Sequence, residues 1–257
     1  MAKRISKKRK KFGYLIFIFL VVLPIVAYWG YNWWNYRRAK FTHYAEFGIS
    51  IPENFLIHGI DVSRYQQTIA SEEVEAMQVQ KIKIGFAFIK ATEGIGNTDE
   101  QFSRNWKKCK QAGIPRGAYH FFLATKDGKE QAENFIKNVE LSKGDLPPVV
   151  DIEQNYGVNA FILKKELQEW LDVTENYYKV KPIIYTNVDF YNKYLNKDFD
   201  GYPLWAAHYF QYDAPRINRG WAFWQHGEGG RVNGILTKVD FNVFNGDSTE
   251  FRQLLIE

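Results

Sequence analysis

From about residue 56 onward, short apolar runs alternate with longer segments whose apolar residues recur every three or four positions. The short runs include Leu56–Val62, Phe86–Ala91, Gly117–Phe122, the run ending in Asp151-Ile152-Glu153, Pro182–Thr186, Leu204–Ala207, Trp221–Gln225 and Lys238–Asn242. Most are rich in β-branched or aromatic residues and apolar at successive positions, as in strands buried on both faces. The longer segments predict helices over Ser71–Gln80, Asp99–Ala112, Asp127 to about Leu141, and Asn159–Tyr178, with a closing helix over Ser248–Leu255. Phe102, Trp106 and Cys109 share one helical stripe before Gly113, and Asp127 with Glu130 forms a D-x-x-E cap. Strand and helix in alternation predict an α/β domain with a mainly parallel sheet. Eight strands in about 200 residues predict a modified TIM-like β/α barrel, with a doubly wound open sheet as the alternative. Helices thin out after residue 195, so the last strands are expected to connect through loops.

The N-terminus follows another pattern. Residues 1–11 form a basic tail, Phe12–Gly30 carries no charge, and Tyr28, Trp29, Tyr31, Trp33, Trp34 and Tyr36 follow as an aromatic belt. An apolar run of that length is about what one bilayer-spanning helix needs. We therefore expect a transmembrane signal anchor over 12–36, with the basic flank cytoplasmic and the remainder outside. A cleaved signal peptide is the rival, disfavoured by bulky aromatics where small residues would mark the cleavage site. Residues 37–56 read as a stalk and 57–257 as the α/β domain.

Charge then narrows the partners. The net charge of +5 is misleading taken whole, because residues 1–40 hold ten of the 34 basic residues and none of the 29 acids. The remainder is net −5, which gives no nucleic-acid footprint. A single cysteine, Cys109, excludes an intramolecular disulfide and a cysteine metal cluster. His43, His58, His120, His208 and His226 show no zinc-enzyme spacing, and no G-x-S-x-G occurs. No metal or cofactor is expected, and His120, His208 and His226 read as core or groove hydrogen-bonders.

The candidate chemistry lies at Asp151 and Glu153. Residues two apart on a strand share a face, so these carboxyls point together while Ile152 turns the other way. Neighbouring carboxylates raise each other's pKa, and one protonated beside one ionised carboxyl is what glycoside hydrolysis uses. Asp61 and Asp240 end or begin other apolar runs, so four acids are expected at one mouth of the barrel.

The segments GIDVSRYQ, FAFIKATEG, AGIPRGAYHFF, PPVVDIE, PIIYTN, LWAAHY, FWQH and VDFN occur in that order between residues 59 and 242. In this ordered set the chain resembles family 25 glycoside hydrolases, the Chalaropsis-type lysozymes. The resemblance implies a modified β/α barrel, and a muramidase that cuts β-1,4 bonds between N-acetylmuramic acid and N-acetylglucosamine in peptidoglycan. It implies Glu153 as the general acid, Asp151 as its companion carboxylate, and Asp61 and Asp240 as groove acids. Tyr119 and Trp224 resemble sugar-contacting positions, and Tyr185 and Trp205 join them in the expected substrate-binding set. An Asp-Trp pair usual in the family is replaced here by Ala70-Ser71. A non-catalytic glycan-binding module is the alternative, opposed by the presence of all four acids. Nucleophilic attack by the substrate's 2-acetamido group, attack by a carboxylate, and an inverting route remain open. The expected place of work is the bacterial cell envelope, anchored in the inner membrane.

Overall fold

The computed structural model describes residues 7–37, 40–211 and 213–257; within 7–37 it describes the side chains of 17–32. Eight strands close on themselves: β1 (Ile57–Val62), β2 (Ile82–Glu93), β3 (Arg116–Phe121), β4 (Val149–Asp151), β5 (Ile183–Asn187), β6 (Leu204–Ala207), β7 (Phe223–Gly230) and β8 (Val239–Phe244). Strands β1 to β7 run parallel, each beside the next. Strand β8 is antiparallel to both β7 and β1 and completes the ring. The expected barrel is therefore present, and the open sheet is not. The reversal of β8 brings its first residues to the mouth where the other strands end, with Asp240 opposite Asp61.

Alternation along each strand splits the apolar residues into two layers. Phe86, Phe88, Val149, Ile183, Trp205, Phe223 and Phe244 fill the interior. Their neighbours Ala87, Ile89, Ala118, Val150, Ile184 and Ala206 face outward. The interior is crowded enough to dictate two glycines. A Cβ on Gly59 would lie 2.5 Å from the Phe86 ring, and one on Gly117 would lie 2.5 Å from the Phe88 ring. The Phe88 ring also stacks on Trp205, centroids 4.3 Å apart.

Helices cover the outer layer where the chain crosses between parallel strands. After the N-terminal helix α1 (Lys7–Arg37), these are α2 (Ser71–Ala76), α3 (Phe102–Gln111), α4 (Gly128–Asn138) and α5 (Ala160–Tyr178). Asp127 accepts from the Glu130 amide at 2.9 Å, which caps α4, and Asn159 caps α5 in the same way. Leu163, Leu167, Trp170 and Leu171 bury one face of α5 at helical spacing. The helix expected over Ser71–Gln80 ends at Ala76, because Gln78–Val79 pairs antiparallel with the start of β2. The closing helix is present over Ser248–Leu254, and its Phe251 plugs the floor of the barrel.

The stretch 37–56, expected as a stalk, is part of the fold from residue 41. Phe41–Tyr44 and Ile49–Pro52 form a hairpin with Tyr44, Phe47 and Ile51 buried. Phe47 meets Phe241 at 5.4 Å and Phe41 meets Trp224 at 5.9 Å between ring centroids. No helix crosses between β7 and β8, so their outer faces need another cover, and the hairpin supplies it. The apolar residues at 41, 44, 47, 49 and 51 were the sequence sign of this.

The N-terminal segment forms a helix, Lys7–Arg37, carrying Pro24. Among the described residues no helix is long and apolar enough to cross a membrane. Of the expected anchor, 12–36, the side chains of 12–16 and 33–36 lie outside those described. The basic tail, 1–11, lies outside the described side chains altogether.

Candidate active site

The inward face that is apolar at the floor turns polar at the mouth. On β1, Gly59 is followed by Asp61; on β4, Val149 is followed by Asp151; on β7, Phe223 is followed by Gln225; on β8, Phe244 is preceded by Asn242 and Asp240. Each step of two residues keeps the face and climbs toward the mouth. Glu153 continues the face of Asp151 two residues past the end of β4.

Asp61 is buried and held by two amides. Its Oδ2 accepts from Gln225 Nε2 and from Asn242 Nδ2, both at 2.8 Å. Those amides are aimed in turn. Tyr185 and Tyr209 donate to Gln225 Oε1 at 2.8 and 2.5 Å, and Trp205 Nε1 donates to Asn242 Oδ1 at 2.8 Å. Five side chains from β5, β6, β7, β8 and the loop after β6 thus lock one carboxyl of β1 in place. Burial pushes the Asp61 pKa up to about 6 against the two amide bonds, which favour its ionised form.

Asp151 is buried, and among the described residues its Oδ1 finds no hydrogen-bond partner. Burial raises its pKa well above the ordinary range, and the charge of Glu153 raises it further. Lys90 opposes this, but Lys90 also bonds Glu93 at 2.7 Å. Glu153 lies higher and half-exposed. Burial raises its pKa too, resisted by a hydrogen bond with the side chain of Asn187 and assisted by the charge of Asp61. Asn187 is oriented because its Oδ1 accepts from the Phe190 amide at 2.8 Å. Asp240 completes the group; burial first, then Asp61, pushes its pKa up to about 8. The mouth therefore holds protons that the same carboxyls would release in water, which equips it to donate one.

The structure thus gathers Asp61, Asp151, Glu153 and Asp240, with Tyr119, Tyr185 and Trp205 just below or beside them. Trp205 and Tyr185 are almost wholly buried in the interior, with ring centroids 4.4 Å apart, and Tyr119 is half-buried. Trp224 is not brought to this group. It points to the outer face opposite Gln225, is fully buried against Phe41, Phe55 and Trp221, and donates to the His208 carbonyl at 2.9 Å. Its expected contact with sugar is corrected by strand parity: if Gln225 faces in, Trp224 must face out.

Gln225, Asn242, Asn187 and Tyr209 are the polar partners that the expected site lacked. Asn242 and Gln225 were legible as the residues two along from Asp240 and Phe223. Their bonds to Asp61 were not, since these join positions up to 181 apart. His120 is a core residue, with Nδ1 2.7 Å from Thr92 Oγ1 and its ring stacked on Trp170. His226 is also buried, beside Trp224.

A mainly parallel barrel whose mouth gathers paired carboxyls of raised pKa has the equipment of an acid–base glycosidase. Residues 60–235 match the family described as Glycosyl hydrolases family 25. Lysozyme M1 of Streptomyces globisporus is 34% identical over 219 residues, covering 77% of this chain and 71% of that protein. The uncharacterized protein YegX of Escherichia coli K12 is 42% identical over 221 residues, 86% of this chain and 79% of its own. Among solved structures, a family 25 glycosyl hydrolase from Bacillus anthracis superposes with a TM-score of 0.73 at 33% identity, over 79% of this chain and 95% of that one. A bacterial lysozyme from Streptomyces coelicolor does so at 0.70 and 32%, over 77% and 96%. The chain belongs to glycosyl hydrolase family 25 and is a glycoside hydrolase.

Proposed function

We propose that the enzyme is a muramidase of the lysozyme type, cutting the β-1,4 bond between N-acetylmuramic acid and N-acetylglucosamine in peptidoglycan. The observation that carries the reading is the pair Asp151 and Glu153, on one inward face at the barrel mouth with both pKa values raised. Glu153, the more exposed of the two, is the general acid and protonates the glycosidic oxygen as the bond breaks. Positive charge then develops at the sugar carbon. Asp151 stabilises it and orients the attacking group from below, while Asp61 and Asp240 line the groove. The sequence closeness of Asp151 and Glu153 suits a retaining arrangement better than one with a distant water-activating base. Tyr119, Tyr185 and Trp205 support the sugar subsite from below. The names of the lysozyme relatives support peptidoglycan as the substrate.

The test is digestion of purified peptidoglycan with residues 41–257, followed by borohydride reduction and mass spectrometry. Reduced muramic acid at the new ends is expected. Reduced glucosamine ends, or no release, would overturn the bond assignment.

The enzyme works at the envelope, held by residues 12–36 as a signal anchor with the barrel outside the cytoplasmic membrane. The basic flank and the exposed apolar side chains of 17–32 support this. Protease treatment of spheroplasts should digest the barrel, and the mature chain should retain its first residues. A mature N-terminus near residue 28–40 would replace the anchor with a signal peptide.

A further inference from the structure

Six non-glycine residues among those described hold left-handed backbone, and two of them are aromatic: Tyr156 at φ 49° and Phe210 at φ 57°. A bulky side chain is disfavoured in that region. Both rings also face water, Tyr156 at 41% exposure and Phe210 at 86%. Each position therefore carries two costs, and no core packing offsets the cost at Phe210.

The turn at Tyr156 sharpens the point. The Val158 amide bonds the Asn155 carbonyl at 2.9 Å, with positive φ at Tyr156 and Gly157. Such a turn favours asparagine, aspartate or glycine at its second position. Tyrosine stands there instead, three residues after Glu153, and the charges of Glu93, Asp151 and Glu153 reach its phenol. Phe210 follows Tyr209, whose hydroxyl points inward to Gln225. In the loop after β6, the Tyr209 hydroxyl thus reaches the groove wall while the next ring, Phe210, stands in water. The two rim residues stand on the loops either side of β5, whose Asn187 bonds Glu153. Tyr65, Ile95 and Leu236 are also exposed but have no such backbone, so they are ordinary surface residues.

We propose that Tyr156 and Phe210 are a stacking rim that grips sugar rings of a long glycan strand outside the scissile bond, and so set the enzyme's preference for polymeric over short substrate. The inference rests on the reading of the groove as a glycan site. The occupant follows from continuity: a strand threading past Glu153 must leave over the loops beside β5, and the flat faces of sugar rings lie well on exposed aromatic faces.

The test uses the full chain in a Glu153→Gln background and measures its sedimentation with insoluble peptidoglycan. Tyr156→Ala and Phe210→Gly should each weaken binding about tenfold, the loss expected when one aromatic ring is no longer covered. Phe210→Leu should behave like the glycine variant, and Phe210→Trp should retain the parent's binding. Phe210→Gly should melt at or above the parent temperature, since glycine accepts the backbone. With Glu153 intact, the variants should lose kcat/KM on polymer while keeping it on the shortest cleavable oligosaccharide. A parent that does not hold peptidoglycan overturns both the groove reading and the rim. A parent that binds, with variants that bind equally or variants of lower melting point and unchanged binding, overturns the rim alone. So does a parent that is dimeric in solution and becomes monomeric on Phe210→Gly, which would assign the ring to a second copy of the chain.

Discussion

The floor and the mouth of the barrel are built from the same strands, two residues apart, and they obey opposite rules. At the floor Phe86, Phe88, Trp205, Phe223 and Phe244 pack ring against ring, close enough to leave only hydrogen at Gly59 and Gly117. At the mouth Asp61, Asp151, Glu153 and Asp240 are drawn together against their mutual repulsion and out of water. The floor gives the stability that the mouth draws on. The carboxyls are kept at raised pKa because burial above a rigid apolar layer denies them water, and the amide donors on Asp61 and Glu153 only partly offset that.

The sharpest break in that comparison is Glu153→Gln. Activity on peptidoglycan should fall on the order of 10²–10⁴-fold, the usual contribution of a general acid. The melting temperature at pH 7 should stay level or rise, because a carboxyl that burial disfavours is replaced by a neutral amide. Turnover above half the parent rate would remove Glu153 from the acid's role.

The next expectation concerns pH. Asp61 and Asp240 have folded-state pKa values of about 6 and about 8 against 3.8 ordinarily. An acid raised in this way binds its proton more tightly when folded. Its contribution to stability is complete below about 4 and is lost as pH climbs through the folded value. Thermal melts should therefore fall by several degrees between pH 4 and pH 8, and Asp240→Asn should flatten the upper part of that decline. A parent that gains stability across the window would show that the mouth does not hold these protons.

At the floor, Gly59→Ala should destabilise by about 1–3 kcal/mol, since the Phe86 ring must move to admit the methyl group. For a domain of this size that lowers the melting temperature by about 2–4 °C per kcal/mol. The rate per folded molecule should hold. Loss of rate without loss of stability would mean that floor and mouth are not separable.

The smallest effect is expected at Trp224→Phe. Removing the bond from its indole to the His208 carbonyl should cost about 1 kcal/mol of stability. Digestion should remain within about twofold of the parent. A larger loss of rate would bring Trp224 back to the groove.

Much of this was present in the order of residues. Alternation of apolar runs and helical stripes specifies an α/β domain with a mainly parallel sheet, because each strand buried on both faces needs cover on both sides; eight strands favoured a barrel, and the closed ring decided it against an open sheet. The spacing of Asp151 and Glu153 puts both on one face, and no tertiary information is needed for that. The caps at Asp127 and Asn159 are likewise local. Other features were decided by the closed barrel. Whether Trp224 or Gln225 faces the groove depends on which face of β7 is inside. That β8 runs antiparallel, and so delivers Asp240 at its start, depends on how the ring closes. The hairpin at 41–52 is core because β7 and β8 lack a covering helix, a fact about neighbours rather than about the hairpin. Asp61 is held by Gln225 and Asn242 from more than 160 positions away. Period and propensity act over a few residues, so the sequence by itself determined the strands, the helices and the acid pair. Burial, pKa and hydrogen-bond partners depend on which strands become neighbours, and only the tertiary structure decided those.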